Sequence, residues 1–275
     1  MLVVRVDWLS LVSASDRPRV ADVVQTLRSL TTDVIAGVFR DAEAQAPHLL
    51  HTPGGTELYQ QLAAIYCDYA LADDTTLGAS ERDDVLLTLL RCRVYEVQLV
   101  ALNKLLQSSA SDDDADDGDD DSGDDTTCYA RVCQSAALCT AVLRISISDD
   151  VNRECLAASL QVLGHMTTVL CDLIIRNKCD ATILTLLPSL VRHPLQSVSC
   201  AALTLYGGLI AEIHARALAC VTLIDDVMKS ELVDVLEEMS LSQCSVDARL
   251  ACARFLELTV HAMLLVDATS GSSSK

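Results

Sequence analysis

The sequence predicts an all-α protein built as a superhelix of antiparallel helix pairs. Three observations carry that prediction. First, the 275-residue chain is 51% hydrophobic but only 3% aromatic, with 10 Gly and 5 Pro, so Leu, Val and Ala must form its core. Leu and Ala favour helix, and few breakers interrupt their runs. Second, apolar residues recur at three-and-four spacing through most of the chain, the period of a buried helical face. Third, one short pattern returns several times along the chain. A β-sandwich of this length would show more aromatics, more turn residues and clearer alternation. The nearest strand-like pieces, Leu2–Val6 and Ile145-Ser146-Ile147, are short enough to be helix ends.

The first expected helix runs from Pro18 to Phe39, with Asp16 ahead of it as a cap and Pro18 in its first turn, where the missing N–H costs nothing. Ala46–Gly55 holds Pro47, Pro53, Gly54 and Gly55 and reads as a loop. A second helix, Thr56–Ala72, puts Leu58, Leu62, Ile65, Tyr66 and Tyr69 on one side, and Asp73–Ala79 is a polar connector. Helices then pair: Glu81–Arg91, with Ser80 and Asp83 resembling a capping box that has Asp in place of Glu or Gln, followed by Tyr95–Gln107. Ser108–Thr127 is acidic and holds no apolar residue larger than Ala, so it cannot offset the entropy of ordering and is expected to be disordered. Further helices are predicted over Cys128–Ile145, Val151–Gly164, Met166–Asn177, Ala181–Val191, Gln196–Ala219, Leu223–Met239 and Val246–Val266. His193-Pro194 supplies the turn between two of them. The expected organisation is therefore N-terminal helices over 1–79, a first clear pair over 80–107, the acidic insertion 108–127, helical repeats over 128–266 and a disordered tail, 267–275.

The recurring pattern lies in the second helix of each pair. It reads Val97-Gln98-Leu99-Val100-Ala101-Leu102, then Val151-Asn152-Arg153-Glu154-Cys155-Leu156, then Val198-Ser199-Cys200-Ala201-Ala202-Leu203, and more loosely Ala248-Arg249-Leu250-Ala251-Cys252-Ala253. Four residues after each anchor stands a small one: Ala101, Cys155, Ala202 or Cys252. Anchor and small residue share a helix face, so the small side chain lets a partner helix approach while the next residue fills the space between pairs. The anchors stand 54, 47 and 50 residues apart, and the first spacing falls to 40 without the fourteen residues Asp112–Asp125. These spacings resemble the roughly 40–47 residues of HEAT and armadillo units. A non-repetitive bundle is the competing arrangement, and it too is all-α.

The formal charge is −19, of which ten charges come from Asp112–Asp125, leaving −9 for the remainder. No basic stripe exists, so direct nucleic-acid binding by this chain alone is disfavoured. The acidic run is a solvated loop or a contact for a basic partner. No secretory signal is visible, since Leu2–Val4 is only three apolar residues before Arg5, and no run of 18 apolar residues suggests a membrane span. With twelve cysteines and no secretory context, the expectation is a reduced cytoplasmic protein whose thiols pack as small apolar residues.

No cofactor or metal site is expected. There is no glycine-rich phosphate loop, no His-Glu-x-x-His and no Gly-x-Ser-x-Gly. Gly207-Gly208 lies in an apolar run, where it permits close helix approach or a kink. Cys128, Cys133 and Cys139 are spaced by five and six, unlike zinc knuckles. His165, His193, His214 and His261 have no recurrent acidic neighbour. Asp225-Asp226 and Glu237-Glu238 point about 100° apart on a helix, which is poor for sharing a proton. No catalytic residue is therefore nominated, and Arg153, Arg192 and Arg249, chosen for polarity at inner-helix positions, are the candidate partner contacts.

Beyond the general HEAT/armadillo likeness, Leu89-Leu90-Arg91-Cys92-Arg93-Val94-Tyr95-Glu96-Val97-Gln98-Leu99 resembles a stretch of the thyroid adenoma-associated protein family. Val246-Asp247-Ala248-Arg249-Leu250-Ala251-Cys252-Ala253 is similar to a C-terminal helix of that family. The resemblance implies a cytoplasmic scaffold, a fragment or short relative of those larger proteins. Its partner would be a tRNA ribose methyltransferase that owns the chemistry. The alternatives are a transport adaptor similar to the importin-β class, which also carries an acidic loop, and a cysteine-dependent hydrolase, which rests on cysteine abundance alone. An importin-α-type Trp/Asn ladder is excluded, because Trp8 is the only tryptophan and precedes every repeat.

Overall fold

The computed structural model describes residues 53–71, 79–92, 94–110, 132–148, 150–176, 182–215, 246 and 248–258, and every regular element among them is α-helical. The expected helices Pro18–Phe39 and Leu223–Met239, the pieces Leu2–Val6 and Asp73–Gly78, and the tail fall outside the described residues. So does the acidic insertion, apart from Ser108–Ala110, which extend the helix before it. The chain divides into two compact units, Met1–Val132 and Cys133–Lys275.

In the first unit, α1 (Pro53–Leu71) packs on α2 (Ala79–Leu90) and α3 (Tyr95–Ala110), which also pack on each other. Helix α1 starts at Pro53, inside the segment expected to be a loop. A first-turn N–H has no intrahelical acceptor, so proline there loses nothing and its fixed φ favours the helix. The buried stripe is Tyr59, Leu62, Ala63, Tyr66, Cys67 and Ala70. Ile65, expected inside, is half-buried; the side chains of Leu58 and Tyr69 lie outside the description. The expected cap at Ser80 is also displaced, because α2 begins at Ala79 and Ser80 is already helical.

Burial pushes the Cys67 thiol up to about 12 from 9.0, with the Asp68 charge adding to the rise and Lys104, which pairs with Asp68, opposing it. An acid whose pKa is raised on folding keeps its proton longer in the native state than in the unfolded one. Its contribution is fully present below pH 9.0 and is lost as pH climbs toward about 12, at up to about 1.4 kcal/mol per pH unit. Urea midpoints measured between pH 9 and 11 should therefore fall more steeply in the native chain than in Cys67→Ala. Equal slopes would mean the thiol is not buried.

The second unit contains α4 (Ala136–Ser146), α5 (Arg153–His165), α6 (Thr167–Ile175), α7 (Thr182–Val191) and α8 (Gln196–Ala215), followed by helical residues 248–258. Helix α8 packs against α5, α6 and α7, and α4 packs against α5 and α6. The expected helix Cys128–Ile145 is interrupted: residues 132–133 are helical, Gln134 turns, and Ser135 caps a new helix by accepting from Leu138 N at 3.4 Å. Ile145 and Ser146 close α4, and Ile147 is its C-cap, so no strand forms there. Two hydroxyls bridge the α4–α5 core. Ser159 Oγ donates to Leu156 O at 2.9 Å, and Ser146 Oγ lies 2.9 Å from Ser159 Oγ, so neither buried group is left unsatisfied.

Asn152 caps α5, its side chain accepting from Glu154 N at 2.8 Å. The anchor Val151 therefore stands outside the helix and is half-buried, a correction to the predicted register. Local capping by Asn outweighs extending the helix by two residues. An 85° bend separates α5 from α6. Among the described residues no single helix is long and apolar enough to cross a membrane.

The pairing itself repeats. In the first unit Val97 N and Gln98 N both donate to Val94 O, at 3.1 and 3.2 Å; in the second, Val198 N and Ser199 N both donate to Leu195 O at 3.1 Å. Gln98 Nε2 reaches back to Leu90 O at 3.1 Å and Cys92 O at 2.8 Å, while Ser199 Oγ reaches back to Val191 O at 2.6 Å. Leu90 and Val191 are the last residues of α2 and α7. The same latch thus recurs 101 residues apart, from Val97 to Val198, satisfying a helix-end carbonyl that has no intrahelical donor. Between them, Val151 N donates to Ser148 O at 3.3 Å, the same turn bond without the side-chain latch. Ser199→Ala and Gln98→Ala should each cost about 1–3 kcal/mol, the penalty of stranding a helix-end carbonyl. Urea titration of both variants checks this, and unchanged midpoints would reduce the latch to an incidental contact.

The four small residues are buried: Ala101, Cys155 and Ala202 at 0% exposure and Cys252 at 3%. Leu102, Leu156 and Leu203 beside them are buried too. Ala253, the fourth member of that series, is instead exposed, and Phe255 fills the core from that helix. Phe255 lies three residues beyond Cys252, on the same face.

Candidate functional site

Polarity at inner-helix positions points to Arg153, Arg192 and Arg249 as partner contacts. All three are exposed: Arg153 opens α5, Arg192 follows α7 in the turn to α8, and Arg249 lies near the start of the 248–258 helix. The turn at Arg192 is closed by His193, whose N donates to Leu190 O and whose Nδ1 accepts from Leu195 N, each at 3.1 Å.

A different set of residues lines an open groove of about 670 Å³ in the second unit, between α5, the start of α6, α8 and the 248–258 helix. None of the three arginines lines it. Its register follows from three contacts. Gly164 faces Thr204, Gly208 faces Thr167, and Thr168 Oγ1 donates to Glu212 at 2.8 Å. Residues 164, 167 and 168 at the α5–α6 bend thus meet 204, 208 and 212 of α8 in the same order. On the opposite wall, Gly207 lets the last helix in: a Cβ there would sit 3.2 Å from Leu258 Cδ1 and 3.4 Å from Phe255 Cδ2. At Gly208 a Cβ would meet the Thr167 methyl at 2.8 Å. The Gly-Gly pair thus serves close approach on two sides of α8.

Chemically the groove has an apolar floor and a polar rim. Leu203 and Phe255 are buried at its base, while Gln161, His165, Thr204 and Arg254 are exposed along it. Leu250 lines it too, 67% exposed. Leu250 and Arg254 escaped sequence reasoning, although they stand one turn apart on the face opposite Ala248, Cys252 and Phe255. That opposition was the available signal.

Cys200, half-buried, and His165 both line the groove. Of the other described thiols, Cys67, Cys92, Cys139, Cys155, Cys171 and Cys252 are buried and Cys133 is half-buried. Among the described residues, no three His, Cys, Asp or Glu side chains converge as metal ligands would; Cys128, His261 and the Asp225-Asp226 and Glu237-Glu238 pairs fall outside them, as does the His214 side chain.

No family model matches the chain, and no curated protein matches it. Among solved structures it is similar to two engineered proteins from the Northeast Structural Genomics Consortium. One is 16% identical, covering 92% of this chain and 95% of that one, with a TM-score of 0.49. The other is 17% identical, covering 91% and 96%, also with a TM-score of 0.49. The all-α assignment rests on the chain's own helices and turns.

Proposed function

We propose that this chain is a non-catalytic protein-interaction scaffold whose second-unit groove receives a segment of a partner protein. The observation that carries the reading is the groove's make-up: an apolar floor under a polar rim, with Leu250 standing largely in solvent. Association covers surface of that kind, and a few anchored side chains dominate the energy. Packed helices hold the walls, so little ordering cost falls on the scaffold when a partner binds.

The finer reading keeps a tRNA ribose methyltransferase as the partner, in the cytoplasm, with the chain itself making no nucleic-acid contact. It is supported only by the two stretches quoted above. The first has a second explanation: Val97 and Gln98 build the α2–α3 turn and its latch, work that any helix pair requires. The scaffold reading does not depend on that partner.

Affinity purification with the native chain and with Leu250→Asp/Arg254→Glu tests both levels. Both side chains are exposed, so the variant should keep its helical circular dichroism while losing at least about tenfold of partner affinity, some 1.4 kcal/mol. Undiminished recovery of every partner would overturn the groove. Enrichment of a tRNA ribose methyltransferase would support the finer reading, and its absence from a partner set that still depends on the groove would remove it.

A further inference from the structure

We draw no further inference here: the strongest candidate, the exposed apolar strip formed by Val246 and Leu250 beside the groove between α8 and the 248–258 helix, carries nothing because nothing in the structure shows what covers it.

Discussion

Phe255→Ala should destabilise the second unit by about 3–5 kcal/mol, the range for truncating a buried aromatic. Phe255 is 2% exposed, its ring centroid lies 5.7 Å from that of Tyr206, and its backbone and ring border Gly207. Three losses coincide on truncation. The ring's apolar area returns to water, a tilted aromatic pair disappears, and a cavity opens where α8 has no side chain to fill it. Gly207 is the reason collapse cannot repair the gap, since a glycine offers no atoms to move inward. Amide exchange along α8 should rise around Tyr206–Leu209, together with a lower urea midpoint. A cost below about 1 kcal/mol would show that the 248–258 helix is not docked on α8.

The second large effect concerns volume in the opposite sense. Ala202→Leu inserts three carbons at a position with no exposed surface and should cost about 1–3 kcal/mol or more through displaced neighbours. Ala101→Leu should behave alike in the first unit, where the same small residue follows the same turn. Ala253→Leu is the matched control. It is one residue from buried Cys252 but exposed, so its effect should stay within about 0.5 kcal/mol. Thermal unfolding of the three variants distinguishes the cases. If Ala202→Leu and Ala253→Leu prove equally mild, the small residues are not where helices meet.

Some of this was legible because it is local. Spacing of apolar residues fixes which face of a helix is buried, so Ala101, Cys155, Ala202 and Cys252 could be assigned to the interior from their distance to Val97, Val151, Val198 and Ala248. Helix ends were less legible. At Pro53, Ser135 and Asn152 the outcome depends on which backbone N–H groups need a partner, and a proline or a capping side chain moves the boundary by one to several residues. That competition put Val151 outside its helix while leaving Cys155 in the core. Ala253 failed for another reason: the series was extended by analogy, and the last helix fills its slot from Phe255 instead.

By itself the chain's order of residues determined an all-helical protein with small side chains at recurring buried positions, because helix formation and amphipathic burial follow from neighbours three and four apart. Only the tertiary structure decided the latches of Gln98 and Ser199, the double use of Gly207 and Gly208, and the groove. The groove's walls come from residues within 161–167, 200–212 and 250–258. No local rule relates segments so far apart; their side chains meet only once the helices have packed, and packing distances set which of them stay in water.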